Sequence, residues 1–87
     1  MLFMELRLQE LRAREVIDIA SGERLGYVSD ALLDAHDGRI LALIVPGTPR
    51  FLGLFGKCED YILPWKAVTR FGSDMILIDG TKDLQRR

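Results

Sequence analysis

The 87-residue chain contains one cysteine and one histidine, and this scarcity excludes several kinds of site. Cys58 has no second cysteine with which to form an internal disulfide. A structural zinc site takes about four Cys or His ligands, and His36 and Cys58 together are too few. We therefore expect no disulfide, no bound metal and no cofactor, and we interpret His36 as a solvated turn residue.

An excess of charge of either sign is also missing. The 12 Lys and Arg residues are balanced by 13 Asp and Glu residues, so the net charge of -1 provides no general attraction to nucleic acid. The sequence does contain basic residues interleaved with aromatic residues, a combination that holds single-stranded nucleic acid by stacking and charge. The candidates for such a basic patch are Arg50, Lys57, Lys66 and Arg70. Glu59 and Asp60 interrupt this patch, so we do not expect nucleic-acid binding.

The chain has no hydrophobic run long enough to cross a bilayer and no secretory leader pattern. We expect a cytoplasmic protein without membrane insertion. A hydrophobic fraction of 48% fits one packed domain. We place this domain at residues 4–80 and expect flexible termini at 1–3 and 81–87.

What the sequence does contain is a series of short apolar runs separated by turn residues, which predicts an all-β domain. His36-Asp37-Gly38 marks the clearest hairpin turn. A helical turn is expected at 65–70, after Pro64, and another turn at 9–12. About six short antiparallel strands, forming a closed or half-open small barrel, are expected at 6–8, 15–19, 25–34, 40–45, 61–63 and 75–78.

Two of these runs are apolar without alternation. Residues 40–45 read ILALIV and residues 75–78 read MILI. A strand with one face in water alternates apolar and polar residues, so both faces of these strands require cover. The second layer would come from the termini of the chain or from another subunit.

The residues do not form a recognisable catalytic site. The segment FLGLFGKC at 51–58 fails the phosphate-loop pattern, which requires Gly where Phe51 stands and Ser or Thr where Cys58 stands. Four aspartates lie at or near strand ends, where a carboxylate accepts hydrogen bonds from loop amides. These are Asp18, Asp30, Asp34 and Asp79. We assign them structural roles and expect a protein that is not an enzyme.

Four large apolar residues fall in a predicted loop between Pro49 and Lys57. They are Phe51, Leu52, Leu54 and Phe55. The loop either folds back and fills an open end of the barrel or presents an apolar knob to a partner, since interfaces favour aromatic anchors. We favour the interface, with Trp65 as a further contact residue, and expect a homodimer or an unidentified protein partner.

The order and spacing of several motifs resemble the PRC-barrel family along nearly the whole chain, particularly its short stand-alone members of the YlmC/YmxH sporulation type. The motifs are LRAREVIDI at 11–19, SGERLG at 21–26, ALIVPG at 42–47, RFLGLFG at 50–56, EDYILPW at 59–65 and GSDMILID at 72–79. The resemblance implies a β-barrel of about six strands. Ala35-His36-Asp37 departs from the usual Thr-Gly type of hairpin turn, and residues 1–3 form an extra leader.

The resemblance also implies a docking role. PRC barrels occur in the photosynthetic reaction-centre H subunit and in the ribosome maturation factor RimM, where they serve as docking surfaces and not as catalysts. We therefore expect a protein-interaction module associated with sporulation. An RNA- or ribosome-associated adapter, similar to the barrel of RimM, is the alternative.

Overall fold

The computed structural model describes residues 5–47 and 60–86. Within them, one short helix precedes eight strands, and a single 3-10 turn, Trp65–Ala67, lies between the fifth and sixth strands. The elements are α1 (Leu8–Arg12), β1 (Glu15–Asp18), β2 (Arg24–Tyr27), β3 (Asp30–Leu33), β4 (Ile40–Val45), β5 (Tyr61–Pro64), β6 (Val68–Phe71), β7 (Met75–Ile78) and β8 (Gln85–Arg86).

The strands form two four-stranded sheets. Sheet A has the order β2-β1-β7-β6 and sheet B the order β3-β4-β5-β8. All pairs are antiparallel except β1 and β7, which run parallel with Val16 beside Ile76. The mainly β fold expected from the sequence is thus confirmed. The described residues form two facing sheets and not one closed barrel.

The core lies between the two sheets. Val16, Ile76 and Ile78 of sheet A and Leu43, Val45 and Leu63 of sheet B are fully buried. Leu11 of α1 joins the same cluster. Burying a side chain of this size contributes about 1.5–3 kcal/mol, so these residues carry much of the stability.

The hairpin between β3 and β4 forms where the turn residues predicted it. The N–H of Gly38 donates to the carbonyl of Asp34 at 2.8 Å, and Gly38 has φ 78°, a conformation that glycine adopts without strain. Asp34 Oδ1 accepts the N–H of His36 at 2.8 Å. His36 itself is exposed in the turn, as expected.

A bulge in β4 explains how the run ILALIV fits a sheet whose main core lies on one side. Leu32 pairs with Ala42 but Leu33 pairs with Ile40, so Leu41 is the extra residue. Leu41 is exposed, and Ile40 packs against the core. The strand therefore changes face within one apolar run.

The prediction that both faces of the apolar strands are shielded from solvent holds for part of sheet B. Ala42 and Ile62 lie on the face opposite Leu43 and Leu63, and they are still only 5% and 8% exposed. In β7, by contrast, the pattern alternates: Ile76 and Ile78 are buried, whereas Met75 and Leu77 are half-buried.

Several expected boundaries were wrong. The turn expected at 9–12 is part of the helix α1, but the strand expected at 6–8 does not form. Residues 25–34 divide into β2 and β3, which belong to different sheets. The helical turn expected at 65–70 ends at Ala67, because Val68–Phe71 pairs with β7. Near the C-terminus, Gln85–Arg86 pairs with β5 and is exposed, and the expected flexibility of residues 81–87 stays a prediction.

Candidate docking groove

A groove of about 560 Å³ runs between α1 and the β2–β3 connection. We call it the α1/β3 groove. Its lining is mainly apolar and consists of Leu8, Gln9, Leu11, Arg12, Val28, Ser29, Asp30, Ala31, Leu33 and Leu43. An adjoining depression of about 460 Å³ shares Gln9, Arg12, Val28 and Ser29 and extends to Tyr27 and Pro46.

The floor and the rim of this groove differ sharply in exposure. Leu11, Val28 and Leu43 form the floor and belong to the main core. Leu8 and Leu33 on the rim are 64% and 61% exposed. Two exposed leucines therefore lie beside a cleft that has an apolar floor.

Hydrogen bonds at both ends of α1 define the short helix on one side of the groove. Glu10 Oε1 accepts the N–H of Arg7 at 3.4 Å, and Ala13 N–H donates to the carbonyl of Glu10 at 3.2 Å. Leu8 and Leu11 are three residues apart and therefore share a helix face. Because Leu11 is anchored in the core, Leu8 is held at the rim.

Arg14 ties the end of this helical segment to sheet A. Its Nε donates to the carbonyl of Ser73 at 3.2 Å, and its guanidinium lies 3.7 Å from Glu10. The Arg14 side chain is 13% exposed, and its hydrogen bond to Ser73 lies at the protein surface. The position of α1 is consequently set by Leu11 in the core and by the link from Arg14 to Ser73.

The strand side of the groove is fixed where the chain passes from sheet A to sheet B. Val28 is buried between β2 and β3, and Ser29 N–H donates to the carbonyl of Ile44 at 2.8 Å. Gly26 has φ 116°, and a side chain at this position would meet Val45. The positive φ, which residues with a side chain rarely adopt, is what makes glycine suitable at this crossing.

The two charged residues of the groove lie on its opposite sides. Arg12 lies on the helix side and Asp30 on the strand side, and both are exposed. None of the ion pairs between described residues involves either of them. Asp30 Oδ1 accepts the N–H of Ala31 at 2.8 Å.

Trp65, the one described residue among the contacts expected from the sequence, does not line this groove. Trp65 is 40% exposed and its ring centroid lies 5.7 Å from that of Phe71, in another part of the fold. Phe51, Leu52, Leu54 and Phe55 lie outside the described residues, so their assignment as contacts stays a prediction.

The proposed basic patch is also incompletely described, since Arg50 and Lys57 fall outside the described residues. Lys66 Nζ lies 2.5 Å from Asp83 Oδ2 and forms an ion pair with it. The hydrogen bond from Lys66 and its charge lower the pKa of Asp83. Arg70 is exposed on β6, beside Leu77 of β7.

The expected structural role of the four aspartates is confirmed. Each accepts a hydrogen bond from a nearby backbone N–H: Asp18 from Ala20, Asp30 from Ala31, Asp34 from His36 and Asp79 from Thr81. Asp79 also accepts the Thr81 hydroxyl at 2.7 Å, and these two bonds lower its pKa.

Asp18 is the most buried of these acids. Its Oδ1 accepts the N–H groups of Ala20 and Gly80, both at 2.9 Å, and its Oδ2 accepts the Ser21 hydroxyl at 3.1 Å. Burial raises the pKa of Asp18, but the hydrogen bonds from Gly80, Ala20 and Ser21 outweigh it and lower the pKa. An ionised carboxylate with three donors is suited to structure and not to proton transfer.

Residues 5–47 and 60–86 hold no group of three or more His, Cys, Asp or Glu placed to bind a metal ion. In the same part of the chain, no helix is long and apolar enough to span a membrane.

Apart from Asp30, the groove residues were not singled out from the sequence. Leu8 and Leu11 did provide a signal, because apolar residues three apart followed by Arg12 fit one face of a helical turn. Leu33 sits just before the hairpin turn, where an exposed apolar residue is unexpected. Their proximity depends on the β2–β3 crossing, which no local pattern predicted.

Comparison with known proteins supports the resemblance noted above. The PRC-barrel domain model matches residues 4–85. An uncharacterized Bacillus subtilis protein, YmxH, is 37% identical over 84 residues, covering 94% of this chain and 98% of its own length. The probable sporulation protein YlmC of the same organism is 32% identical over 73 residues, covering 84% of this chain and 90% of its own length.

A third relative, an uncharacterized protein of Clostridium acetobutylicum, is 32% identical over 73 residues, which are 84% of this chain and 83% of the relative. The family model and these three relatives each cover more than four-fifths of the chain. The two-sheet β fold is consistent with that assignment. The chain belongs to the PRC-barrel family.

Proposed function

We propose that this protein is a non-enzymatic docking module that works in spore formation, in the cytoplasm, as a homodimer. The similarity to a probable sporulation protein supports the cellular role. The observation that carries the docking role is the α1/β3 groove, with Leu8 and Leu33 largely exposed above an apolar floor. The residues Phe51, Leu52, Leu54, Phe55 and Trp65 remain proposed as additional contacts.

Burial of the two rim leucines, Leu8 and Leu33, would favour docking energetically. Leaving a leucine in water forgoes about 1.5–3 kcal/mol relative to full burial. Single exposed apolar residues are ordinary, but a cluster beside an apolar cleft is typical of an interaction site. Covering Leu8 and Leu33 together would provide several kcal/mol toward association.

The described polar residues support a role without catalysis. Asp18 is engaged with three donors, and His36 lies exposed in a hairpin turn. Neither residue lines the α1/β3 groove. The groove instead offers an apolar surface with two charges at its rim, which suits binding of another macromolecule.

Spore yield in the native host tests the function. Deleting the gene should lower the number of heat-resistant spores, and the wild-type gene should restore it. The L8S/L33S variant should fail to restore spores, because it removes the exposed apolar rim. The matched control I19S changes another exposed aliphatic residue, 53% exposed, and should restore spores fully.

Circular dichroism melting of both variants verifies that each one folds. A deletion strain with normal spore counts, or full restoration by L8S/L33S, would contradict the proposal.

The RNA-associated alternative predicts a different behaviour. Binding through Arg50, Lys57, Lys66 and Arg70 would weaken steeply with salt, because counterions are released from the phosphates. The ion pair between Lys66 and Asp83 already neutralises one of these four charges. We expect no salt-dependent binding to single-stranded RNA; its appearance, together with loss in a K66E/R70E variant, would favour the adapter role.

A further inference from the structure

We propose that the α1/β3 groove is the contact between two copies of this chain, with α1 of each copy lying against β3 of the other about a two-fold axis. This inference deepens the proposed homodimer by assigning its surface. A two-fold contact requires a self-complementary surface, in which each feature finds its counterpart on the same patch. The groove meets this requirement in shape and in charge.

The apolar cleft and the leucines on its rim are the first pair of complementary features. The α1/β3 groove has a volume of about 560 Å³, and two leucines project from its rim. Leu8 projects on the helix side and Leu33 on the strand side. In a two-fold arrangement, Leu8 of one copy enters the cleft near Leu33 of the other, and the same contact is made twice.

The charges are the second pair of complementary features. Arg12 lies on the helix side of the groove and Asp30 on the strand side. When α1 of one copy faces β3 of the other, Arg12 faces Asp30 across the contact, again twice. Charge complementarity of this kind fixes register and discriminates against other partners. The hydrogen bonds between described residues engage Asp30 Oδ1 and leave Oδ2 for this pairing.

The backbone of β3 favours a side-chain contact over addition of a peptide strand. Strand addition requires free N–H and C=O groups along an edge. Strand β3 is at the edge of sheet B, and the N–H of Ala31 in its interior already donates to its neighbour Asp30. This bond occupies one backbone donor of the edge strand, and an exposed charged side chain on an edge disfavours pairing with another strand. A folded surface with projecting apolar side chains, such as a second copy of this chain, is therefore the partner that suits the groove.

Sedimentation equilibrium tests the apolar half of the contact. The wild type should give twice the 9.9 kDa mass of one chain at micromolar concentration. L33E should give the monomer mass, because it places a carboxylate inside an apolar contact. The matched control I19E changes an exposed aliphatic residue outside the groove and should stay dimeric.

Charge reversal tests the assigned register. R12E places like charges opposite Asp30 and should weaken the dimer at least tenfold, and D30K should do so opposite Arg12. The double variant R12E/D30K restores opposite charges with reversed polarity and should recover the dimer. Thermal melting of each variant identifies any loss of fold, and D30N, which retains an acceptor for Ala31 N–H, should weaken the dimer less than D30K.

The dimer measurements test the groove contact, and spore yield tests the proposed function, so the two can fail separately. A dimer that survives L33E but is lost in F51S/F55S would overturn the groove assignment while leaving a docking module intact. Failure of R12E/D30K to recover the dimer would overturn the proposed register. A monomeric wild type would overturn the homodimer itself, whereas the docking role in spore formation is decided by spore yield.

Discussion

Asp18 joins two turns that are far apart in the sequence. Its carboxylate accepts hydrogen bonds from Ala20 and Ser21 in the turn after β1 and from Gly80 in the turn after β7. Strands β1 and β7 form the parallel pair at the centre of sheet A. One residue therefore holds together the ends of two strands that a hairpin cannot connect.

Removing the Asp18 carboxylate should reduce the stability of the fold. D18A leaves the N–H groups of Ala20 and Gly80 without their acceptor, and we expect a loss of about 1–3 kcal/mol in the free energy of unfolding. Urea unfolding measures this loss. The exposed residue Asp74 provides a control: D74A should change the same free energy by less than about 0.5 kcal/mol, and equal losses in both variants would contradict the role of Asp18.

Gly80 should tolerate no side chain, because a Cβ built at this position would overlap the Asp18 carboxylate. We expect G80A to destabilise the fold by displacing that carboxylate from its donors. The two substitutions should be coupled, since G80A has little left to displace once D18A is present. A double-mutant cycle by urea unfolding checks this, and additive losses would show that the two residues act independently.

The lowered pKa of Asp18 predicts how stability depends on pH. The folded state binds the proton less readily than the unfolded chain, whose aspartates titrate near pH 4, at about 3.9. The stabilisation by Asp18 is thus present above that pH and is lost as the pH falls through the folded-state pKa. Unfolding free energies measured between pH 7 and pH 2 should fall less steeply in D18N than in the wild type; parallel curves would contradict this.

At the scale of elements, the sequence predicted those features that local chemistry decides. Asp37-Gly38 predicted the β3–β4 hairpin, and the runs 40–45 and 75–78 became β4 and β7. The features that depend on distant partners were missed. Val68–Phe71 resembles a helical continuation but pairs with β7, and the parallel pairing of β1 with β7 joins residues about 60 positions apart.

The bulge in β4 predicts that neighbouring leucines differ greatly in importance. Leu43 is fully buried between the sheets, so L43A should reduce the free energy of unfolding by about 2–5 kcal/mol. Leu41 is the exposed extra residue, and L41A should cost less than about 0.5 kcal/mol. Chemical denaturation of both variants compares the two sites, and similar losses would show that the strand is in another register.

At the scale of the whole molecule, the candidate site could not be predicted because it is assembled from separate segments. The groove brings α1 beside β3, and this depends on the crossing at Val28 and on the anchoring of Leu11 in a core formed by both sheets. The four aspartates, by contrast, were assigned correctly, since each bonds to a backbone group close in sequence. Trp65 was expected at a contact surface, and it is partly exposed beside Phe71, away from the groove.

The proposed two-fold contact would give the molecule a simple organisation. Sheet A and sheet B bury the core between them, and the groove at the β2–β3 crossing presents apolar surface outward. Dimerisation through this surface would cover Leu8 and Leu33 and would leave the Trp65 region available for a different partner.

The most direct test is to map self-association by NMR on the wild-type protein labelled with ¹⁵N. Amide spectra recorded across a hundredfold dilution through the range of dimer dissociation identify which residues change surroundings. If the α1/β3 groove is the contact, the largest shifts should fall on α1 and β3, including Leu8, Arg12 and Leu33, with little change at Ile19. Concentration-dependent shifts confined to other surfaces, or spectra that do not change while the protein remains monomeric, would contradict it.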